Sequence, residues 1–476
     1  MEVMAVFVNR ETELQFLNKT LQRSDQGQMI LLYGRRRVGK TELLRHWAMG
    51  SGQPYTYWMA EKESPALQRR KLFARLFDVP LDRAIPFDAW SEFWDWSAPR
   101  LAAKRQILIL DELQYAITAD SAMLSALQYA WDHYLQNSPL ILTLCGSQVN
   151  IMQAIQNHQS PLFGRLTGQW LLQPLPFAAL RQFFPDWTAE ERVAAYAIVG
   201  GVPAYLRWLD PQRSLSDNIR QTIVAPGNMF MAEPMLLLYD EVREPAVYRA
   251  ILQAIGAGYH TPKKIGDAGL VSQSHLSAYL NTLQELRLVK RRLPATLTVA
   301  QQRKSRQGRY HLSDPYLRFY FRFLAPHLDD LVFTPDQVLT HIQQEIRAFV
   351  GQTIFEELAQ TWLAGQGRQG GLPFKPQAIG QHWSARVQVD AVAVNWDDRE
   401  ILLGECKWGT GPVSRQTVRE LIEKKTTKVV NDLGGKEWRV HYAFFARAGF
   451  TAAATELLQE HNGLAVSLAQ LDDDLA

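Results

Sequence analysis

The chain has 476 residues, 47% hydrophobic and 21% charged, with a net charge of +3 and two cysteines, Cys145 and Cys406. That length exceeds a single core and implies two to four domains of an ordinary globular protein, while two cysteines exclude a disulfide framework and a Cys-rich zinc site. No basic leader opens the sequence, and its longest apolar stretch, VAAYAIVGGVPAYL, is too short for a bilayer, so a reducing, cytoplasmic setting with no membrane contact is expected.

Residues 29–41 read MILLYGRRRVGKT. An apolar run of strand length enters Gly34, and Gly34, Arg35, Arg36, Arg37, Val38, Gly39, Lys40 and Thr41 fit the phosphate-loop pattern G-x-x-x-x-G-K-[ST]. The next residues, ELLRHWAM, have helical periodicity. Strand, loop and helix together make a mechanism: backbone N–H groups and the helix N-terminus converge on phosphate oxygens. Lys40 is then expected on the β- and γ-phosphates of ATP and Thr41 on Mg²⁺. The cluster FDAWSEFWDW (87–96) has helical spacing and is expected to be a packed insertion rather than a base-stacking platform. A second apolar run, QILILDELQYA, ends in Asp111 and Glu112, the expected Mg²⁺ support and water-orienting base. A third, PLILTLCGSQVNIM, places Ser147 at a strand end, where it either senses the γ-phosphate or caps the next helix.

Basic residues concentrate in one internal segment. Between Gly256 and Pro326 there are twelve Lys or Arg against three Asp or Glu, so the rest of the chain is net acidic. Here Thr261–Pro262 is expected to start a short helix that turns at Gly269. SQSHLSAYLNTLQELR supplies a second helix with Leu276, Leu280, Leu283 and Leu286 on one face. LVKRRL enters a strand, and QQRKSRQGRYHLSD reads as a basic wing. Such a helix-turn-helix would present Gln273, Ser274, His275, Ser277 and Asn281 to a groove. Lys263, Lys264, Lys290, Arg291, Arg292, Arg303, Lys304, Arg306 and Arg309 would meet DNA phosphates. The alternative is a packing unit inside a multidomain ATPase.

Further on, ARVQVDAVAVNW and REILLGECKW flank Asp397–Asp398 and read as a β-hairpin. Folding about that turn sets Asp390 opposite Glu405, with Lys407 on the same face two residues on. Two opposed carboxylates call for a cation, and a divalent metal, Mg²⁺ or Mn²⁺, would activate water and polarise a phosphoryl oxygen. Cys406 points away. The pattern E-x-K recurs as Glu423–Lys425 in a helical stretch, and there it has no such setting. The acidic tail, LDDDLA, reads as a solvated end.

Taken in order, VFVNRETELQFL, YGRRRVGKTELL, LILDELQYA, LCGSQVNIM, PLFGRLTGQWLLQPL and GGVPAYL resemble the archaeal-type ATPases of the signal-transduction branch of AAA+ proteins over about residues 5–325. The resemblance implies a parallel α/β core, a nucleotide cofactor and assembly into a homo-oligomer. It also places Phe7 to Arg10 near the adenine, Arg165 on the γ-phosphate and Arg207 as a lid-side sensor. Residues 346–476 resemble the PD-(D/E)xK nuclease superfamily through Asp390, Glu405, Lys407 and the helix carboxylate Glu356, with Glu357 as its neighbour. Val389 stands where that pattern has proline, and Gln416 or Lys424 is expected to assist. A non-cleaving docking version of the same fold is the alternative. The expected organisation is an ATPase core (1–175), a helical lid (176–250), a winged helix-turn-helix (251–325), a linker (326–345) and a restriction-endonuclease-like α/β domain (346–476).

Overall fold

Buried on both faces, the central strands of the N-terminal region have no polar side to show to water, and with two more exposed edge strands they assemble into a parallel sheet covered by helices. The computed structural model describes residues 7–23, 26–225, 227–239, 242, 244–435 and 437–476. The chain divides into two compact units, residues 1–175 with 202–204, and 176–201 with 205–476.

In the first unit β1 (Gln28–Tyr33), β2 (Tyr55–Met59), β3 (Gln106–Asp111), β4 (Leu140–Gly146) and β5 (Gly168–Leu171) lie in the order β2-β3-β4-β1-β5. Every pairing is parallel. Because β4 lies between β1 and β3, the residue that ends β4 sits between the loop after β1 and the acidic pair after β3, at the carboxyl edge where open α/β sheets bind ligands. The aromatic cluster is a packed insertion, as its spacing predicts. Trp90, Phe93 and Trp94 on the helix Trp90–Ala102 are no more than 1% exposed. They share one core with Phe73, Leu108 and Leu142, and truncating any of the three to Ala should cost about 3–5 kcal/mol.

Within the second unit the helices Pro245–Gly256, Pro262–Gly269 and Gln273–Glu285 precede the antiparallel ribbon β6 (Val289–Arg292) and β7 (Arg309–Leu312). The apolar face read from the sequence is the buried one: Leu276, Leu280, Leu283 and Leu286 all pack inward. The wing between β6 and β7 is not an open loop. It contains the helix Val299–Lys304, started by a reciprocal Thr298–Gln301 capping box. The expected linker, residues 326–345, is largely helical: it holds the helix Leu328–Phe333 and most of the helix Pro335–Val350.

A mixed sheet of order β12-β11-β10-β9-β8 forms the C-terminal core, from β8 (Ala378–Trp383), β9 (Gln388–Asn395), β10 (Glu400–Lys407), β11 (Arg439–Ala446) and β12 (Leu464–Ser467). The hairpin β9–β10 has the register read from the sequence, with Glu400 against Asn395 and Gly404 against Ala391. The acidic tail corrects its expectation. It forms the helix Leu468–Asp474, whose Asp472, 3% exposed, accepts hydrogen bonds from Arg181 and Arg192. Asp474 accepts one from Trp362 Nε1 at 2.7 Å. A buried carboxylate needs such partners, and two arginines supply them.

Candidate functional site

The phosphate loop closes on itself. Gly34 lies so near the backbone that a Cβ there would stand 2.5 Å from Leu172 O, and Gly39 has φ +92°, where a side chain is strained. Both positions therefore require glycine. Lys40, 5% exposed, donates to Gly34 O at 2.9 Å and Arg35 O at 3.0 Å, so its ammonium rests on the loop's own carbonyls. Val38 is fully buried, and Arg36 donates to Tyr115 Oη at 2.8 Å. Arg37 adopts φ +67° within the loop.

Asp111 is fully buried and its oxygens are all engaged. Oδ2 accepts from Thr41 Oγ1 at 2.6 Å and Tyr57 Oη at 2.8 Å, and Oδ1 from the Glu112 N–H at 2.8 Å. Burial, then the Asp111 charge, push the Tyr57 phenol well above its ordinary range, so it stays a donor. Glu112 sits at φ +49°, a conformation that non-glycine residues seldom hold unless their surroundings enforce it. Its Oε2 accepts from Ser147 Oγ at 2.7 Å and from Gln114 Nε2. Gln114, fully buried, also donates to Ser147 Oγ at 3.0 Å. The two readings of Ser147 thus separate: the next helix is capped from Gln148 without a side-chain bond, and the Ser147 hydroxyl serves Glu112. Tyr57 and Gln114 were missed in the sequence; Gln114 stood two places beyond Glu112, and nothing in YTYWM singles out Tyr57.

The arginines and the aromatic expected around the nucleotide take the following places. Arg165 forks onto Asp132, Nε to Oδ1 at 2.7 Å and Nη2 to Oδ2 at 2.6 Å, and lowers that carboxyl below its usual range, so its planar group is committed to an internal ion pair. Arg10, 6% exposed, donates to Val38 O and Gln173 O, each at 2.9 Å, and so buttresses the phosphate loop from beneath. Phe7 stacks on His46 of the helix Lys40–Gly50 with ring centroids 4.0 Å apart. Arg207 is exposed.

In the second unit the hairpin register brings Asp390 and Glu405 together at one end of β9–β10. Glu405, 3% exposed, accepts from Lys407 Nζ at 2.7 Å and from Lys425 Nζ at 2.6 Å, one lysine on each oxygen. Asp390 Oδ2 accepts the backbone N–H of Cys406 at 3.1 Å, so the cysteine enters the site through its backbone. Burial and then Glu405 push Asp390 up to about 6. Glu356, held by Gln381, is pushed up to about 8 by burial and then by Asp390. The three carboxylates therefore feel one another, the like-charge arrangement that raises carboxyl pKa values.

The second lysine at Glu405 is Lys425, whereas Gln416 and Lys424, expected to assist, are exposed. A widened helical turn at Glu420–Lys425 sets its direction, and another at Gly351–Phe355 precedes Glu356. Among the described residues no group of three or more His, Cys, Asp or Glu side chains is arranged around one point as a metal cage. Mg²⁺ does not need one, because one or two carboxylates and water suffice. Asp390 with Glu405, and Thr41 with Asp111, are the hard oxygen sets that fit it.

The basic residues expected on DNA divide into two groups. Lys263, Lys264, His275, Arg291, Arg303, Lys304 and Arg306 are exposed, as are Gln273, Ser274, Ser277 and Asn281. Lys290 and Arg292 instead turn inward to Glu357 Oε1, where Arg318 joins them, with Lys290 at 2.9 Å and Arg318 at 2.8 Å. Arg309 lies over the Trp383 ring, 4.7 Å from its centroid. The wing that carries these residues is bound to the C-terminal sheet, with Ala295 N–H on Gln381 O at 2.8 Å and Thr296 Oγ1 on His382 Nδ1 at 2.8 Å.

A family described as an ATPase domain predominantly from Archaea matches residues 7–209. A relative in Methanocaldococcus jannaschii, an uncharacterized protein, is 31% identical over 434 residues, which is 90% of this chain and 91% of its own. The chain belongs to the archaeal-type ATPase family. A second family, described as archaeal and bacterial proteins of unknown function, matches residues 320–428 of this archaeal-type ATPase and so includes Glu356, Asp390, Glu405, Lys407 and Lys425. Similar solved structures are a Walker-type ATPase of Pyrococcus abyssi, at 21% identity and TM-score 0.48 over 66% of this chain and 96% of that one. The ORC2 protein of Aeropyrum pernix follows at 14% identity and TM-score 0.45, over 72% and 96% of the two chains. No helix among the described residues is long and apolar enough to cross a membrane.

Proposed function

We propose that this archaeal-type ATPase is an AAA+ protein that hydrolyses ATP, binds DNA through a winged helix, and carries a metal-dependent nuclease domain at residues 346–476. In the ATP cycle Lys40 exchanges the carbonyls of Gly34 and Arg35 for the β- and γ-phosphates. Thr41 and Asp111, 2.6 Å apart, would hold Mg²⁺, which neutralises the charge on the phosphates. Glu112 orients the attacking water, and Ser147 and Gln114 fix the direction of its carboxylate. The helix Gln273–Glu285 and Lys263–Lys264 face DNA, whereas the ribbon braces the C-terminal domain.

The observation that carries the nuclease reading is the hairpin register, which sets Asp390 beside Glu405 with Lys407 on the same face. Asp390 and Glu405 would hold the metal ion, which supplies an activated water and polarises the phosphoryl oxygen. Lys407 balances charge on the reacting phosphate, and Lys425 holds Glu405 in place from the other side. A nuclease assay on DNA and RNA with Mg²⁺ or Mn²⁺, with and without ATP, tests this. Cleavage that disappears in Asp390→Ala and Lys407→Ala is expected; substrates left intact under every condition would refute it.

A second reading is an ATP-switched regulator whose C-terminal domain only binds. The neutralisation of Glu405 by two internal lysines favours it. It prevails if Lys40→Ala changes DNA binding while no substrate is ever cut.

A further inference from the structure

Asp390 and Glu356 line a cavity of about 640 Å³ together with Arg292, Arg309, Arg318 and Arg322. A phosphate that enters this cavity meets both the carboxylates and the arginines. Its volume lies within the about 300–1,000 Å³ that enclose a small-molecule ligand. That is room for a nucleotide or two of one strand, not for a duplex.

Close by, the wing is held to the C-terminal sheet. Besides the Ala295–Gln381 and Thr296–His382 bonds, Trp396 Nε1 donates to Thr296 O at 3.2 Å and Trp383 Nε1 to Gln307 O at 3.1 Å. Lys290, Arg292 and Arg318 converge on Glu357.

Two of the arginines make only long hydrogen bonds. Arg309 reaches Gln388 Oε1 at 3.3 Å, and Arg322 reaches Glu345 at 3.4 Å, both at the long limit of a hydrogen bond. Either guanidinium can turn to a phosphate, which it binds through two parallel N–H groups. His311, also in the lining, has an enclosed Nε2 without a hydrogen-bond partner among the described residues.

Resting on the nuclease reading of Asp390 and Glu405, we infer that the cavity seats a single strand of nucleic acid, and that Arg309 and Arg322 grip its backbone next to the cleaved bond. The substrate class is thus a single-stranded end, flap or loop rather than paired duplex.

The test is binding, which separates the seat from the chemistry. Glu405→Gln full-length protein is titrated into a labelled oligonucleotide, either single-stranded or annealed to its complement, in Ca²⁺ buffer. Tighter binding of the single strand, weakened about tenfold by Arg309→Glu and by Arg322→Glu, is expected. Arg322 is the more exposed of the two, so its variant guards against misfolding, and ATP hydrolysis by each variant checks the fold. The inference is overturned if the duplex binds as tightly as the single strand, if neither binds, or if both substitutions leave single-strand binding unchanged. Preferential binding that responds to the arginines but is accompanied by no cleavage in the wild type would refute the nuclease reading alone and leave the seat standing.

Discussion

Asp111 and Glu112 at the end of β3 are held by hydroxyl and amide donors, whereas Asp390, Glu405 and Glu356 crowd together beneath two ammonium groups. Neutral donors can change partners without stranding a charge, so the first site suits ligands that enter and leave in every cycle. Ammonium groups fix their carboxylate more firmly, because breaking a buried ion pair leaves one charge uncompensated. The second site is therefore set at rest, and on the nuclease reading a divalent cation would have to compete with Lys407 and Lys425 for Glu405. One fold region is arranged for turnover and the other for restraint.

The largest way to break this contrast is to remove the acid that the ammonium groups do not neutralise. Asp390→Ala should lower cleavage by about 10³-fold in a gel assay while ATP hydrolysis stays at the wild-type rate. Equal loss of both activities would mean that the sites are not chemically separate. Next, Glu112→Gln should keep nucleotide binding and slow phosphate release by about 10²-fold. Unchanged turnover would remove Glu112 as the water-orienting group. A smaller effect, about tenfold in cleavage, is expected for Lys425→Met, with a shift to higher metal affinity as Glu405 loses a competitor. An unchanged metal dependence would show that the lysine is not a restraint.

The smallest effect is on stability. In metal-free buffer the folded protein keeps protons on Glu356 and Asp390 that the unfolded chain has released, since both carboxyls are raised, to about 8 and about 6. Stability contributed by these groups therefore falls as pH rises from about 4 to about 8. Glu356→Gln should melt about 2–4 °C above the wild type at pH 8 and show no such gain at pH 4.5, by calorimetry in EDTA.

The phosphate loop and the acidic strand end were legible because each is local: a glycine pattern after one apolar run, an Asp-Glu pair after another. The hairpin register was equally legible, since Asp397–Asp398 marks the turn and the side-chain period of two does the rest. What the sequence hid depends on distance or on helical irregularity. Lys425 reaches Glu405 only because the helix widens at 420–425, and its own E-x-K pattern had marked it as unremarkable. Tyr57 meets Asp111 only because β2 lies beside β3. The basic segment was legible as charge but not as direction, because the acidic partner Glu357 lies 65 and 67 positions from Arg292 and Lys290.

That partner has a consequence for how the protein would respond to salt. Each lysine or arginine that meets a nucleic-acid phosphate releases condensed counterions, and log K falls with log salt by about 0.9 per contact on a duplex and about 0.7 on a single strand. Lys290, Arg292 and Arg318 share one oxygen of Glu357 and release none. The slope should thus be about two to three shallower than the basic composition of residues 256–326 suggests. Replacing that single glutamate would remove the carboxylate on which all three converge.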